Sequence, residues 1–568
     1  MSAAAGISHI SAPALRRAGW LVDALVCVLL AAAQVGWIYY LTGPQARVYY
    51  DTYRDAAYAE NILHGRLWQD PSIQGASWWY PPLNPLLVAG MARLTGAEVL
   101  DVYGASRFVV NAWLPALVYL LTRAVWGRLA GLLAIPMVFI GSCWWWTHAA
   151  APMPSIQGVI LNLIGLACWH RSVTRGGWAW PIITGVVLAL GIWHHPVCSI
   201  VLAGAIGAHA LLDAADRRLR PPNGARAPAT GQVADPATEP RAASGLSRRW
   251  RSGSSALRPM LVVAGTSAVL AAPVIWHLAR MPHINLKPFH YFAMNLFANR
   301  YAFYAHMPAI PLLALYGLWH AARPTPGARW LLAYVLVGVA GQVPGYIAKE
   351  AELPLPYFVP HEFQWHTQLA LGIAAGIGAA RLARAAVGRA RDPGGPKPVL
   401  ATLLLLATVA IGVHGAGVLH GQDRTADDVL PAPDIEFIDA HTPLGRQQAL
   451  LGWLRTHTKL DTVIAADVST SYFLISGAAG RKSVALPLEH ANPAIAAVQR
   501  ATDVSALLET PSAAALQTVV SRYHAAYLVL TDEPYDRAWE RRAALAALSG
   551  LECVWVAPDD VARVYRVR

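Results

Sequence analysis

Residues 47–96 read RVYYDTYRDAAYAENILHGRLWQDPSIQGASWWYPPLNPLLVAGMARLTG and directly follow the first long apolar segment. The stretch carries three acids in close succession, Asp51, Asp55 and Glu60, then an aromatic cluster at Trp78, Trp79 and Tyr80, then Pro81-Pro82. Between Thr52 and Leu63 the residues Ala56, Ala59, Ile62 and Leu63 form a weakly apolar side at three- and four-residue spacing. That spacing predicts a helix lying along a membrane surface. Asp51 stands at its start, where exposed N–H groups favour an acid. On the residues alone, Asp51 reads either as a helix cap or as a reactive carboxylate. Pro81 and Pro82 suit the first turn of a second helix. The apolar segment after them is too short to span a bilayer comfortably, which predicts partial embedding. The aromatic triplet reads as an interfacial anchor or as the wall of a lipid-linked substrate site.

The surrounding chain has 568 residues, of which 55% are apolar and 14% charged, whereas soluble domains carry about 25% charged residues. A mean hydropathy of +0.37 points the same way, to an integral membrane protein with a soluble remainder. The formal net charge is +12, but the arginines fall in short loops between apolar runs. There they report topology, and no nucleic-acid partner is expected. Four of the five cysteines, Cys27, Cys143, Cys168 and Cys198, lie in or beside apolar runs, and Cys553 is alone near the C-terminus. Neither a disulfide framework nor a zinc spacing results. Arg16-Arg17 precedes an apolar run too long for a signal-peptide core, so a retained first transmembrane helix is expected.

About eleven segments approach the roughly 20 apolar residues that a spanning helix needs. They lie near 19–42, 103–126, 129–147, 154–171, 178–194, 196–212, 260–280, 308–322, 330–348, 366–385 and 398–419. With the N-terminus inside, the inner loops hold Arg123 and Arg128, Arg171 and Arg175, Arg323 and Arg329, and Arg381 to Lys397. The inner 213–258 loop has nine Arg against four acids and reads as a disordered cytoplasmic linker rich in Pro, Ala, Gly and Ser. The outer loops 43–102, 148–153, 281–307 and 349–365 are rich in aromatic residues, His, Pro and acids. Trp144-Trp145-Trp146 reads as an aromatic belt at the outer end of the third span. This arrangement places the protein in the cytoplasmic (inner) membrane as a multi-pass chain with its C-terminal tail outside.

The transmembrane module covers residues 1–420, a linker covers 421–446, and an α/β domain covers 447–568. In that domain 462–469, 483–488 and 525–531 read as strands. ALLGWLRTH, SALLETPSAAALQTVVSRY and DRAWERRAALAAL read as helices, and ECVWVAPDDVARVYRV as a hairpin turning at Pro558-Asp559-Asp560. The domain lacks a Gly-rich phosphate loop and reads as a structural or acceptor-guiding cap.

These features together resemble the polytopic GT-C glycosyltransferases that use polyprenyl-phosphate sugars, among them protein mannosyltransferases, lipid A aminoarabinose transferases and family 39/83 relatives. The resemblance rests on Asp51 after the first helix, TYRDAAYAENIL with His64-Gly65, PPLNPLLVA, the helical array and the outer tail. It implies a GT-C-like, mainly α-helical fold and a polyprenyl-phosphate-linked sugar donor. It also implies a glycan, lipid or protein acceptor at the extracytoplasmic face. Asp51 matches the family's catalytic Asp and would be the general base of an inverting single displacement. Thr52 stands where the family usually has a second acid, and Asp55 where an aromatic is common; Asp55 is the candidate replacement. His195, in His194-His195-Pro196, occupies the Lys position of a Thr-Lys-Pro pattern. Pro360, His361 and Phe363 match a Pro-[His/Arg]-x-Phe pattern, and His195, Lys287 or His361 would face the donor phosphate. Tyr58, Glu60, Trp79, Tyr80, His290 and Glu362 are the candidate substrate contacts. Glu350, Glu352 and Glu362 are candidates for acceptor contacts or a divalent cation; no cofactor is required by the resemblance.

Two other classes compete. A secondary transporter would place ionisable groups at mid-membrane and show repeated halves. Here no clear repeat is visible and the ionisable groups gather at one face. A non-catalytic membrane protein would use the tail to bind a partner.

Overall fold

The computed structural model describes residues 12–42, 47–48, 50–139, 145, 149–219, 256–282, 309–322, 329–343, 347, 360–390, 438–439, 447–533 and 536–568. The expected span at 398–419, residues 220–255 of the inner loop and most of the 421–446 linker lie outside them. A long helix α1 (Ala12–Thr42) is followed by α2 (Tyr50–Leu63), α3 (Leu83–Thr95), α4 (Val99–Val109), α5 (Leu114–Trp126) and α6 (Arg128–Phe139). Then come α7 (Pro154–Arg175), α8 (Ala179–His194), α9 (Pro196–Leu219), α10 (Leu257–Arg280), α11 (Ala309–Ala322), α12 (Trp330–Ala340) and α13 (Pro360–Ala390). Proline sits at the head of α7 and α9, where its missing N–H removes no helical bond. Gly96 closes α3 with φ 71°, in the left-handed region that favours glycine.

Among the described residues, Gly19–Tyr40, Val99–Trp126, Pro196–Asp216 and Leu257–Arg280 are long and apolar enough to cross a membrane. The 103–126 segment is two helices, α4 and α5, joined by a single 3₁₀ turn at Asn111–Trp113. Four expected spans correspond to shorter apolar helices, α6, α8, α11 and α12. The architecture is therefore polytopic and helical, and the count of about eleven spans exceeds what these residues establish.

Small residues let the helices approach closely in the bundle. Gly372 and Gly376 of α13 lie against Val138 and Ala134 of α6, while Gly378 faces Leu313 of α11 and Gly317 faces Ala374. Such close backbone approach is how membrane helices associate without a hydrophobic driving force between them. One end of the bundle is tied by charge. Asp23 of α1 pairs with Arg123 and with Arg128, whose Nε is 2.9 Å away, and accepts a hydrogen bond from Tyr119 at 2.7 Å. Arg329 pairs with Asp216 at 3.0 Å, and Arg384 donates to the Trp126 carbonyl at 3.2 Å. The belt expected at Trp144–Trp146 is corrected at its centre. Trp145 is fully buried and donates to the Trp365 carbonyl, which a ring facing lipid cannot do.

A short antiparallel pair, β1 (Arg47–Val48) with β2 (Ile438–Asp439), joins the two halves of the chain. The tail begins with α14 (Gln448–His457) and builds one mixed sheet from β3 (Val463–Ala465), β4 (Lys482–Ser483), β5 (Tyr527–Thr531), β6 (Leu551–Val556) and β7 (Ala562–Val567). The strand order is β4-β3-β5-β7-β6, parallel across β4-β3-β5 and antiparallel across β5-β7-β6. The expected hairpin forms, with Asp560 at φ 56° in its turn. Pro511 divides the long helical stretch into α15 (Ala497–Glu509) and α16 (Ala513–Tyr523), with the Ser512 side chain capping the second. After β3 the chain enters a buried π-helix, Ser471–Ala478, which the sequence reading left unassigned.

Close approach has a measurable consequence. A Cβ at Gly376 would lie 2.5 Å from the Ala134 backbone, whereas one at Gly207 meets nothing within 4 Å. Gly376→Leu should destabilise the bundle by about 1–3 kcal/mol. Gly207→Leu should leave thermal unfolding in detergent unchanged.

Candidate active site

The end of the bundle opposite the arginine cluster carries α2, and the tail covers it. Tyr53, one turn into α2, packs edge-on against Phe473 of the π-helix with ring centres 5.0 Å apart. Gly477 lies where a Cβ would meet the Tyr53 ring. The predicted surface helix is therefore covered, because its small alanine face admits a second layer. The loop between α2 and α3 is bolted to the same tail. Asp70 accepts hydrogen bonds from the Ser72 and Ile73 amides at 2.8 and 2.9 Å and from Asn492 Nδ2 at 2.8 Å. Lys482 Nζ donates to the Asp70 carbonyl at 2.5 Å, and the Ser483 amide donates to the Ser72 carbonyl at 2.7 Å.

Five of the expected residues converge here: Asp51, Asp55, Tyr80, His195 and Glu362. Asp51 is one-third exposed in the first turn of α2, at the mouth of the cluster. Asp55 is one turn further on and fully buried, with its Oδ1 3.1 Å from Arg54 Nε. Burial raises the Asp55 carboxyl to about 7; Arg54 opposes the shift and Asp51 adds to it. The Arg54 guanidinium stacks over Tyr80 at 3.8 Å, a cation–π contact. Glu362, in the first turn of α13, lies within electrostatic reach of Asp51 and Arg54, and its Oε2 is 3.5 Å from His195 Nδ1. His195 closes α8 in an extended conformation with φ −155°, because Pro196 must start α9.

The aromatic triplet is packed inside the protein and does not face lipid as an anchor. Trp78, Trp79 and Tyr80 are buried, and Trp78 stacks on His277 of α10 with ring centres 4.4 Å apart. Tyr58 takes its place in the same layer by accepting a hydrogen bond from the Trp79 amide at 3.3 Å. On α3, the segment expected to be partly embedded, Leu87, Met91 and Leu94 are exposed on one stripe. Glu60 turns away from the cluster toward the tail. Burial raises its carboxyl, and Arg455 and Arg481 of the tail oppose the shift.

His361 lies in the first turn of α13, with its side chain outside the described residues, and Lys287, His290, Glu350 and Glu352 lie outside them altogether. Among the described residues no group of three His, Cys, Asp or Glu is placed to hold a metal ion. Two members of the cluster were not anticipated. Arg54 stands between two highlighted acids and carried no separate signal. His490 comes from the tail, more than 400 residues away in sequence, and its Nε2 is 3.6 Å from Asp51 Oδ1.

A helical bundle of this kind, with the acid-bearing α2 capped by an α/β tail, has the fold seen in the solved archaeal oligosaccharyltransferase structures. Neither a family model nor a curated protein matches the sequence. Among solved structures, the apo oligosaccharyltransferase of Archaeoglobus fulgidus is similar with a TM-score of 0.56 and 14% identity, over 90% of this chain and 69% of that one. AglB from Archaeoglobus fulgidus, in complex with an inhibitory peptide and a dolichol-phosphate, gives 0.54 and 13% over 90% of this chain and 69% of that one. ArnT from Cupriavidus metallidurans bound to undecaprenyl phosphate gives 0.49 and 13% over 96% and 98%. At these identities the likeness to the two archaeal structures shows the fold alone.

The Asp55 shift fixes a sign. Its folded value, about 7, lies above the ordinary 3.8, so the folded state binds the extra proton between those values. Stability from this group is therefore greatest below pH 4, falls as pH rises toward 7, and stays low above it. Asp55→Asn should remove that fall, so that the melting temperature no longer declines between about pH 4 and 7 through this group. An unchanged pH dependence would count against a buried proton on Asp55.

Proposed function

We propose that this protein is a membrane glycosyltransferase that moves a sugar from a polyprenyl-phosphate donor to a hydroxyl acceptor at the outer face of the cytoplasmic membrane. Asp51 is the general base. The observation that carries this reading is the contrast between Asp51, one-third exposed, and the buried Asp55, Tyr80 and Glu362 with the largely enclosed Arg54 beside it. A base must meet its substrate; the groups behind it set the field. The acceptor hydroxyl gives its proton to Asp51, its oxygen bonds to the anomeric carbon, and the bond to the lipid phosphate breaks with its electron pair on the phosphate. A single displacement of this kind inverts the anomeric centre and needs one carboxylate, where glycoside hydrolases use two. The leaving phosphate gains charge, and Arg54 and His195 are among the described cations or cation precursors in the cluster. His361 and Lys287 are further candidates for that role. AglB, which shares the fold, has been captured with a dolichol-phosphate, which supports a lipid phosphate as leaving group here.

The proposed orientation has the N-terminus inside and the tail outside, with the arginine-rich end facing the cytoplasm. The acceptor is a cell-envelope glycan, a lipid or a protein, and the sugar is a hexose or pentose. Membranes holding the full chain would be given a panel of undecaprenyl-phosphate hexoses and pentoses, and released undecaprenyl phosphate measured by mass spectrometry. One donor should be consumed, and Asp51→Asn should lower its turnover by about 10²–10⁴-fold. Undiminished turnover in Asp51→Asn would remove Asp51 as base. Uptake of solute into vesicles without any transfer would point to a transporter instead. A glycan residue missing from the envelope of a deletion strain would name the product.

A further inference from the structure

We infer that His490 is a positioning residue for Asp51, so that the extracytoplasmic tail is part of the reaction centre. The inference rests on the assignment of Asp51 as the base. His490 Nε2 is 3.6 Å from Asp51 Oδ1. Carboxylate contacts at active sites are often long before substrate binds and shorten in the reactive complex. An imidazole N–H directed at one carboxylate oxygen fixes the rotamer and leaves the other oxygen to receive the acceptor's proton.

The supports of His490 are those of a part that must hold its place. The residue ends a 3₁₀ turn, Leu488–His490, and its amide donates to the Pro487 carbonyl at 2.9 Å. Its ring stacks on Tyr472, with centres 4.4 Å apart and planes inclined by 26°. Two residues later Asn492 binds Asp70 and the Ser77 carbonyl, at 2.8 and 2.9 Å, and so locks this segment to the loop after α2. Tyr472 belongs to the π-helix, a rare form that recurs at functional sites. Tyr472 and Phe473 also pack on Tyr53, two residues from Asp51, with ring centres 6.4 and 5.0 Å away. The base and the ring that orients it are thus mounted on one aromatic cluster. Displacement of the tail would carry His490 away from Asp51.

The test uses the full-length protein in membranes and the undecaprenyl-phosphate sugar that the donor panel identifies, with released undecaprenyl phosphate as the readout. His490→Ala should lower kcat about 10–100-fold, the scale of losing orientation at a reacting group. KM for the donor and the melting temperature should stay at parental values. His490→Gln, which keeps an N–H donor, should recover most of the lost kcat. Tyr472→Leu, which leaves His490 but removes its stacking partner, should lower kcat in the same direction and serves if His490→Ala does not fold. Parental kcat in His490→Ala, or a loss that Gln does not relieve, would overturn the inference. Asp51→Asn run in parallel separates the two ideas. An active Asp51→Asn protein overturns the base assignment, whereas an inactive one beside a fully active His490→Ala protein overturns only the role of His490.

Discussion

The structure depends on keeping Arg54 and Asp55 together out of water. Moving an ion from water to a protein interior costs several kcal/mol even after relaxation, and only good partners offset it. These two are neighbours in sequence, so the fold need not search for the pairing. What it must provide is enclosure. Tyr80 covers the guanidinium, and burial brings the Asp55 carboxyl to the point where it holds a proton near neutrality. A protonated Asp55 leaves Arg54 with less of its charge cancelled.

The enclosure has two sides with different physics. On the bundle side it is made by packed helices and by chain ends fixed by proline, such as the His194-His195-Pro196 corner. On the tail side it is made by hydrogen bonds to backbone and amide groups around Asp70 and by rings around Tyr53. Asp70 is itself buried, and its several donors lower a carboxyl that burial would otherwise raise further. An acid satisfied in this way gives the docked loop one geometry, because any shift would strand a buried polar group. The tail is therefore held against α2 by directional contacts as well as by apolar area.

Much of this was legible in residue order. Proline and glycine marked where helices begin and end, and the Pro558-Asp559-Asp560 turn marked the closing hairpin. Asp51 after the first helix, with the aromatic layer beyond it, marked the end of the bundle where Asp51, Asp55, Tyr80, His195 and Glu362 converge. The burial of Trp78, Trp79 and Tyr80 was not legible, because an aromatic suited to a membrane interface has the same composition as one stacked on His277. Nor was the cover over α2: a weakly apolar alanine face fits a lipid surface and a π-helix equally well. Arg54 was hidden by its acidic neighbours, since local charge balance says nothing about depth. His490 had no local signal at all, because its contact joins segments far apart in sequence and exists only once the tail has docked.

The absence of an acid at Thr52 takes on a different meaning in this setting. Thr52 is buried, so a carboxylate there would need its own partner inside the packed layer. Asp55 lies four residues after Asp51, one turn along the same side of α2, where a second acid can reach the same cluster. Two carboxylates that close together oppose each other's ionisation. Burial raises the deeper carboxyl, beside Arg54, and the shallower one stays partly exposed. The two acids are then unequal by position: Asp51 is one-third exposed, and Asp55 is fully enclosed beside Arg54.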